Sequence, residues 1–472
     1  MSTICSIDRI FAKKWAPENA LQQEKIASLF AAAREGHVCL PTDPCLIGAS
    51  FISYDPQDLF PKQPICSAHN LIYLQKNWVY ETQLLQHVKR VLHTPPKPIP
   101  YSENTAGLLE TQKKAVHLVS ENSLTLITGG PGTGKSHVIV HIVKTLSSIC
   151  RVLVAAPTGR AVSHIAERLQ ETSATFSTLH ALLPPHFEEP IDADCIIVDE
   201  SSMVDLCFFS RLCARIAKGT RLVLVGDKDQ LPPIGSGSIF ADLLDIPDIP
   251  SVILDQSMRF EENEILHYAH AIQQGKSGVL IDKLTDFDLH SIITSVYPQP
   301  SSIEPDAELL FQSIRKACIL SCLRAGPMGV DTCNHIALSF MKKQANGNLF
   351  WAAPIVIVRN SSPLYNGDMG IMIHQGETPI NAIFKTGRLP AYRLPPFEYA
   401  YALSVHKSQG CEYDNVFLLI PPGSEVFGKQ ALYTAVTRAK KHITLHGHAE
   451  ALSAMLQTSS RRQSGIGKRW KN

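Results

Sequence analysis

The sequence predicts an α/β protein in which two parallel-sheet units follow a small N-terminal domain. Three observations indicate this fold class. The chain has 472 residues, which is too long for a single compact core. From Leu124 onward, short apolar segments typical of buried strands alternate with helical segments, as in parallel sheets covered by helices. A second series of such segments follows in the C-terminal half of the chain.

The composition excludes several classes of protein. Apolar residues make up 44% and charged residues 18% of the chain, so it can bury large cores and is not disordered. The formal net charge of +1 excludes a uniformly basic surface for nucleic acid but not a local basic groove. No long apolar run or leader pattern is visible, and we expect a cytoplasmic protein without membrane spans. The 12 cysteines form no C-x-x-C pair and are expected to be buried, reduced side chains rather than metal ligands.

The first hundred residues are interpreted as a separate N-terminal domain, at 1–100. Residues 21–35 have helical periodicity, and the strand-like residues 71–74 run into an amphipathic helix that continues to residue 91. The proline-rich residues 93–100 predict a stiff linker at the end of this domain.

The two parallel-sheet units are assigned to residues 101–260 and 261–472. Apolar segments predict buried strands in the first unit at 124–128, 152–156, 195–198 and 222–225. In the second unit they predict strands at 354–358, 415–420 and 443–447.

A phosphate-binding loop is predicted between the first strand and the helix after it. Residues 129–136 read GGPGTGKS, which fits the pattern G-x-x-x-x-G-K-[ST]. The glycines let backbone N–H groups approach phosphate oxygens, Lys135 is expected to reach the β and γ phosphates, and Ser136 to bind Mg²⁺. A chance glycine turn is the alternative, disfavoured because strand, loop and helix occur in the required order. The predicted ATP-binding residues in this loop are Gly129, Gly130, Pro131, Gly132, Thr133, Gly134, Lys135 and Ser136.

Two acids follow the strand at 195–198. Parallel strands end at one edge of a sheet, so Asp199 and Glu200 are expected to face the phosphate loop. Asp199 would hold Mg²⁺ through a water, and Glu200 would polarise the water that attacks the nucleotide. A helix cap is the alternative interpretation of such a pair.

Further motifs follow in order, and together they resemble a known family. They are TQKKAV at 111–116, APTGRA at 156–161, VDESSMVD at 198–205, GDKDQLPPIGSG at 226–237, LDQSMRF at 254–260, NGDMG at 366–370, YALSVHKSQGCEYD at 401–414 and LYTAVTRAK at 432–440. Over roughly 111–447 the chain resembles the superfamily 1 DNA helicases of the RecD branch. Residues 70–81 and 319–335 are similar to RecD itself, the alpha subunit of exodeoxyribonuclease V (RecBCD).

The resemblance implies two RecA-like P-loop NTPase domains that act as motor domains, with a small SH3-like β insertion around 371–400 in the second. It implies that Gln112 contacts adenine and that Gln230 senses the γ-phosphate and the attacking water. It also implies that Arg259 and Arg438 close the site as arginine fingers. Solvent-exposed glutamines and surface arginines are the alternatives.

The resemblance further implies a track of DNA-backbone contacts across both units, suited to binding without sequence preference. Each polar residue named at the end of this paragraph is equally compatible with a purely structural role. His406 and Gln409 are also compatible with a role in coupling the DNA track to the ATP site. Stacking of bases on Phe176 or Tyr365 is not specific. The implied DNA-binding residues are Thr158, Arg160, Thr178, His180, Asn366, Ser404, His406, Lys407 and Gln409.

The function implied is an ATP- and Mg²⁺-dependent DNA translocase moving 5′ to 3′. It would act in break repair and recombination as a motor subunit beside RecB-like beta and RecC-like gamma subunits, with the N-terminal domain binding a partner. A stand-alone RecD-like helicase and an ATP-binding scaffold subunit remain alternatives. Residues 180–199 are short where relatives often carry a strand-splitting hairpin, so strand separation by this chain alone is less secure than translocation. The basic tail, with Arg461, Arg462, Lys468, Arg469 and Lys471, is expected to be a solvated, frayed end, and contact with DNA or a partner is the alternative.

Overall fold

The computed structural model describes residues 4–55, 58–99, 107–256, 264–345, 347, 349–359, 361, 362 and 364–471. The predicted α/β fold with two parallel-sheet domains is confirmed, and two smaller sheets accompany them. The proposed domain boundaries at residues 100 and 260 lie outside the described residues. No helix in the described part of the chain is long and apolar enough to cross a membrane.

The N-terminal domain packs helices on a small sheet. The predicted helix near residues 21–35 and the strand-to-helix passage after residue 70 are both present. The strands in spatial order are Cys39–Pro41, Leu71–Leu74, Ile65–Ala68 and Ile52–Ser53, antiparallel except for the last pair. The helices are Ser6–Trp15, Ala20–Arg34 and Gln75–His93, with a 3-10 turn at Pro44–Leu46.

The first of the two parallel-sheet domains, called the first motor domain below after the expectation given above, contains a six-stranded parallel sheet whose strands are joined by crossover connections. All four predicted strands are present, and two strands at its edges were not predicted. The strands in spatial order are Ser251–Leu254, Leu124–Gly129, Arg221–Gly226, Cys195–Val198, Val152–Ala156 and Thr175–Thr178. The helices are Glu110–Glu121, Lys135–Leu146, Gly159–Ala166, Leu179–Leu182, Leu206–Ala214 and Ile239–Leu244, with a 3-10 turn at Ser201–Met203.

The second motor domain is a five-stranded parallel sheet. The predicted strands at 415–420 and 443–447 are part of it. The strands in spatial order are Leu284–Thr285, Ala439–Gly447, Tyr413–Ile420, Ala317–Ser321 and Ala402–Ser404. The helices are Glu264–Gln273, Gly278–Ile281, Leu289–Val296, Ala307–Lys316, Val330–Gln344, Gly428–Val436 and Ala449–Gln457, with 3-10 turns at Ala391–Arg393, His406–Ser408 and Ser424–Phe427. The last helix, Ile466–Trp470, instead packs into the core of the N-terminal and first motor domains.

The predicted strand at 354–358 is real but belongs to a separate antiparallel sheet. Its assignment to the parallel series was wrong, because a short apolar run does not reveal which sheet it joins. This sheet begins before residue 371, so it is larger than the predicted insertion, and its likeness to an SH3 domain stays a prediction. The strands in spatial order are Gly387–Pro390, Thr378–Phe384, Met369–Gln375, Phe350–Ile357 and Phe397–Tyr399.

The N-terminal domain and the first motor domain share one hydrophobic core. Alternate residues of the buried strands point to opposite faces of the sheet. Leu222 and Leu224 therefore face a cluster that also contains Trp78 and Val88 from the N-terminal domain and Phe209 from the motor domain. The two domains consequently form one packed body through this face of the sheet.

The prediction of a frayed basic tail is wrong. Arg469 is buried and forms an ion pair with Glu81, at 3.0 Å from Nη1 to Oε1, and its guanidinium carbon lies 3.9 Å from the centroid of the Trp78 ring. Trp470 is also buried, and its indole N–H donates to Asp248 at 3.0 Å. A composition-based expectation failed because these partners lie hundreds of residues away in sequence.

Candidate functional site

The predicted phosphate loop joins the strand Leu124–Gly129 to the helix Lys135–Leu146. Gly132 and Gly134 have φ angles of 73° and 85°, a left-handed conformation that glycine adopts without steric cost. A Cβ atom on Gly129 would lie 2.6 Å from Thr133 Oγ1. These positions therefore require glycine for the loop to take this compact shape.

Lys135 folds back over the loop. Its amine donates to the carbonyl oxygens of Gly129, at 2.6 Å, and Gly130, at 2.9 Å. Ser136 follows in the first turn of the helix and is half-buried. The positive charge is therefore held at the centre of the loop, beside the N-terminal end of a helix, where anions are favoured.

Asp199 and Glu200 lie at the same sheet edge as the loop. Loss of hydration and the neighbouring Glu200 charge raise the pKa of the Asp199 carboxyl to about 7, and Lys135 acts in the opposite direction. Glu200 has a left-handed φ of 51°, and its N–H donates to Asp199 Oδ1 at 2.9 Å. Such strained backbone is common where a site fixes the direction of a side chain. The helix-cap alternative does not fit, because the turn at Ser201–Met203 shows no side-chain cap from Glu200.

Asp227 is a third acid at this edge, and no role was predicted for it. It follows the strand Arg221–Gly226, which lies between the strands that carry Gly129 and Val198. Burial raises the pKa of its carboxyl, and Lys135 counteracts part of this effect. The motif GDKDQ contained the signal, since it places an acid directly after a buried strand, as Asp199 is placed.

The two candidate glutamines are both buried and both face loops of the site. Gln112 donates to the carbonyl oxygen of Thr133 at 3.1 Å and accepts from the Leu109 N–H at 3.1 Å. Gln230 donates to Asp227 Oδ2 at 3.4 Å. The Gln230 Oε1 atom is buried and accepts no hydrogen bond from the described residues. The alternative of solvent-exposed glutamines is therefore wrong for both.

The second motor domain contacts the loop that follows Gly226. The Tyr433 hydroxyl donates to Asp227 Oδ2 at 3.1 Å, and the Leu231 N–H donates to Thr434 Oγ1 at 2.8 Å. Leu231 also belongs to the hydrophobic cluster of the second domain, and its carbonyl accepts from Gln409 at 3.3 Å. The site consequently lies in a cleft whose two walls come from different domains.

The structure describes only one of the two candidate arginines. Arg259 lies outside the described residues. Arg438 is buried, and its donors bind groups of its own domain, the carbonyl oxygens of Thr434 at 3.1 Å and Cys411 at 3.2 Å and the hydroxyl of Thr437 at 3.3 Å. The structure thus places Arg438 beside residues that cross the cleft, and none of its described hydrogen bonds reaches the phosphate loop.

Two of the candidate DNA-binding residues in the first domain lie at the boundary with the second domain. The Arg160 guanidinium carbon is 5.9 Å from the centroid of the Tyr413 ring. A Cβ atom on Gly410 would lie 3.5 Å from Thr158 Oγ1. Thr178 caps a short helix by accepting from the Ala181 N–H at 3.2 Å.

The remaining candidates lie on both domains. His180 is exposed, with its ring centroid 4.5 Å from that of Phe208. Asn366 and Tyr365 are exposed in a turn before the strand Met369–Gln375. The Lys407 side-chain amine donates to Glu398 Oε2 at 2.7 Å, and the Lys407 backbone N–H donates to Ser404 Oγ at 3.3 Å. His406 and Gln409 flank the buried Ser408, with Gln409 turned toward the cleft.

The described residues fit a nucleoside triphosphate with a divalent metal. The glycine cradle leaves no room for side chains, and the adjacent lysine supplies positive charge for phosphates. The hydroxyl of Ser136 and the carboxylate of Asp199 are oxygen donors of the kind that Mg²⁺ prefers. The orphaned Gln230 Oε1 indicates that a donor from outside the protein belongs there.

Comparisons with known proteins agree on one class of enzyme. A family model described as an AAA domain matches residues 112–236, and one described as a UvrD-like helicase C-terminal domain matches residues 399–446. The RecBCD enzyme subunit RecD of Mycolicibacterium smegmatis is 29% identical over 456 residues, which cover 85% of this chain and 82% of that protein. The ATP-dependent RecD2 DNA helicase of Deinococcus radiodurans is 28% identical over 435 residues, which cover 85% of this chain and 58% of that protein.

The solved structures that resemble the chain include the Pif1 helicase from Bacteroides in complex with ADP-AlF3 and ssDNA. It is 17% identical, has a TM-score of 0.46, and the alignment covers 77% of this chain and 96% of that one. The two family models contain the phosphate loop, the acids Asp199 and Asp227, and the segment with Tyr433 and Arg438. Both walls of the cleft therefore lie in the matched segments.

Proposed function

Because this chain is a superfamily 1 helicase related to RecD and RecD2, we propose that it couples ATP hydrolysis to movement along single-stranded DNA. The observation that supports this most is the cleft itself. A phosphate loop and three acids form one wall, and Tyr433 and Thr434 of another domain form the facing wall. A site divided in this way converts ligand binding into domain closure.

The chain's residues divide the hydrolysis step among themselves. Loop N–H groups hold the phosphates, and Lys135 exchanges the carbonyls of Gly129 and Gly130 for the β and γ phosphate oxygens. Ser136 and Asp199 would hold Mg²⁺, which would neutralise charge on the phosphate oxygens. Glu200 accepts the proton of the attacking water, and Gln230 orients that water. Gln112 would contact adenine, as the resemblance to the RecD branch implies, and it also supports the loop by donating to the Thr133 carbonyl.

Two arginines would complete the catalytic set, Arg438 of the second motor domain and Arg259, which lies outside the described residues. Arg259 and Arg438 would neutralise charge on the transferred phosphoryl group, an effect worth on the order of 10³–10⁵ in rate. Arg438 must then leave the carbonyl oxygens that it now binds. The rearrangement belongs to the closing movement that we propose.

DNA would run across both motor domains and contact them through its backbone. Thr158 and Arg160 lie close to Gly410 and Tyr413 at the domain boundary, so a strand there would sense the relative movement of the domains. Thr178, His180, Asn366, Ser404, His406 and Lys407 would supply further contacts. The 5′ to 3′ direction follows the resemblance to RecD. A translocation assay with blocks at either DNA end measures it.

We further propose that the chain acts in the cytoplasm, in break repair and recombination, beside RecB-like and RecC-like subunits. The helix Ser6–Trp15 exposes Ile7, Ile10 and Phe11 to solvent, which forms an apolar surface typical of protein interfaces. A pull-down from cells that recovers no such subunits contradicts the proposed assembly.

A stand-alone helicase is the second candidate, and the similarity to RecD2 favours it. Migration of the native protein as a free 52.0 kDa species would support this candidate.

The substitution Lys135→Gln tests the proposed activity. We expect DNA-stimulated ATP hydrolysis to fall by more than about 100-fold, because the charge that stabilises the phosphates is lost. Hydrolysis is measured with purified protein, alone and with its partners, on single-stranded DNA. Lys144→Gln is the matched control, an exposed lysine about two and a half turns further along the same helix. Equal unwinding by wild type and Lys135→Gln complexes would favour the scaffold alternative instead.

A further inference from the structure

The Asp227 carboxylate connects three parts of the cleft. Its Oδ1 atom accepts from the Asp229 N–H at 3.1 Å. Its Oδ2 atom accepts from Gln230 Nε2 at 3.4 Å and from the Tyr433 hydroxyl at 3.1 Å. Asp227, Gln230 and Tyr433 are all buried, so water does not compete freely for these bonds.

The Gln230 amide has two different ends, and only one of them has a protein partner. Nε2 is held by Asp227, whereas Oε1 is buried and accepts nothing from the described residues. An unsatisfied buried acceptor costs free energy, so it indicates a donor that arrives with the substrate. The attacking water is such a donor, and it requires Oε1, not Nε2, to face the site.

Tyr433 lies in the second motor domain, unlike the other members of this group. Its hydroxyl is 3.2 Å from the position that a Cβ atom on Gly130 would take, so the side chain also covers the phosphate loop. The next residue, Thr434, accepts from the Leu231 N–H at 2.8 Å and fixes the approach of this segment. The bond between Tyr433 and Asp227 therefore forms only while the two domains are together.

We propose that Tyr433 is a positioning residue that orients the Gln230 amide through Asp227, and thereby links the attacking water to domain closure. This inference rests on the proposed ATPase function. Two donors on one carboxylate oxygen restrict the rotation of Asp227, and a fixed Asp227 selects which end of Gln230 faces the water. When the domains separate, Tyr433 leaves, Asp227 is freer to rotate, and hydrolysis slows.

The substitution Tyr433→Phe tests the inference, because it removes the hydroxyl and keeps the ring. We expect kcat for DNA-stimulated ATP hydrolysis to fall about tenfold, since a hydrogen bond to a charged group is lost. KM for ATP is expected to rise about three- to tenfold as well, because the lost bond is made only while the domains are together, so kcat is the constant that reports on the attacking water. Steady-state kinetics on single-stranded DNA measure both constants.

Tyr268→Phe is the matched control. Tyr268 is buried in the same hydrophobic cluster as Tyr433, and its hydroxyl also donates to a carboxylate, Glu264, but within one domain. We expect its kinetic constants to equal those of the wild type. If both substitutions lower kcat equally, a general loss of packing explains the effect and the inference fails.

A double-mutant cycle tests the route through Asp227. If Tyr433 acts through that carboxylate, Asp227→Asn combined with Tyr433→Phe lowers kcat no more than the stronger single change. Multiplying losses would overturn the inference, as would a Tyr433→Phe protein with wild-type kcat. A wild-type protein without any ATPase would instead overturn the proposed function and this inference together.

Discussion

Two interfaces of the first motor domain are built in opposite ways. Toward the N-terminal domain and the C-terminal tail, it shares a continuous hydrophobic core, and a buried ion pair between Glu81 and Arg469 joins those two segments to each other. Toward the second motor domain, its site is joined by separate hydrogen bonds that involve Tyr433 and Thr434, with Leu231 as an apolar anchor. Apolar cores resist separation, whereas polar contacts exchange for water at small cost.

The difference shows which parts of the chain are expected to move. The tail leaves the second motor domain after the helix Ala449–Gln457, passes Asp242, and ends against the N-terminal domain. It therefore anchors one motor domain to the body that contains the other, and we expect the cleft between them to open. Changes at the first interface should alter stability, and changes at the second should alter the use of ATP.

The largest effect is expected from Arg469→Ala. This change leaves Glu81 buried, with the Tyr73 hydroxyl and the Gly465 N–H as its remaining partners among the bonds described, and removes the contact with Trp78. An uncompensated buried charge costs about 3–5 kcal/mol, and we expect the free energy of unfolding to fall by that amount. Chemical denaturation followed by circular dichroism measures it.

Lys471→Ala is the control, because Lys471 is an exposed basic residue of the same tail. We expect it to change the free energy of unfolding by less than about 0.5 kcal/mol. If Arg469→Ala lowers the free energy of unfolding no more than Lys471→Ala does, the tail is frayed in solution. The interface between the first motor domain, the N-terminal domain and the tail is then not rigid.

A smaller effect is expected from Asp242→Asn, where the tail crosses the first motor domain. Burial raises the pKa of the Asp242 carboxyl to about 6, with Arg461 acting in the opposite direction and Glu81 in the same one. Between about pH 4 and pH 6 the folded state keeps a proton that the unfolded state has lost, so stability falls as pH rises. Asparagine resembles the protonated form and should add about 1–3 kcal/mol at pH 7.5, but nothing at pH 4.

Urea denaturation at pH 4, 6 and 7.5 checks this expectation. Asp245→Asn is the control, since Asp245 also binds Arg461 but is exposed, and its effect should not depend on pH by more than about 0.5 kcal/mol. Loss of stability in Asp242→Asn at pH 7.5 would show that the ionised pair holds the tail in place.

The sequence was informative where structure depends on local patterns. Apolar runs identified the strands Val152–Ala156 and Cys195–Val198 to the residue, and the spacing of glycines identified the phosphate loop. It was uninformative where partners are distant. Nothing near Arg469 in sequence points to Glu81, and nothing near Asp227 points to Tyr433, because such pairs form only after the domains have folded.

The same limit explains the strand within Phe350–Ile357, which reads as a buried strand of a parallel sheet. Its residues are almost all buried, because helices and the parallel sheet cover one face of its sheet and the helix Ala307–Lys316 covers the other. Continuous burial produces the same apolar run in either kind of sheet. Hydrophobic pattern therefore predicts burial well and strand partners poorly.

The smallest effect on stability is expected from Thr434→Val, which keeps the shape of the side chain and removes the acceptor for the Leu231 N–H. At a separable interface the freed N–H gains water when the domains part, so the free energy of unfolding should change by less than about 1 kcal/mol. The closed form alone is penalised, and KM for ATP should rise about three- to tenfold.

Thr220→Val is the control, because the Thr220 hydroxyl donates to the Ala193 carbonyl within one domain, at 2.8 Å. That change should cost about 1–2 kcal/mol of stability and leave KM unaltered. The reverse result is that Thr434→Val lowers the melting temperature as much as Thr220→Val does and leaves KM constant. It would mean that the two motor domains are joined as rigidly as the first motor domain and the N-terminal domain.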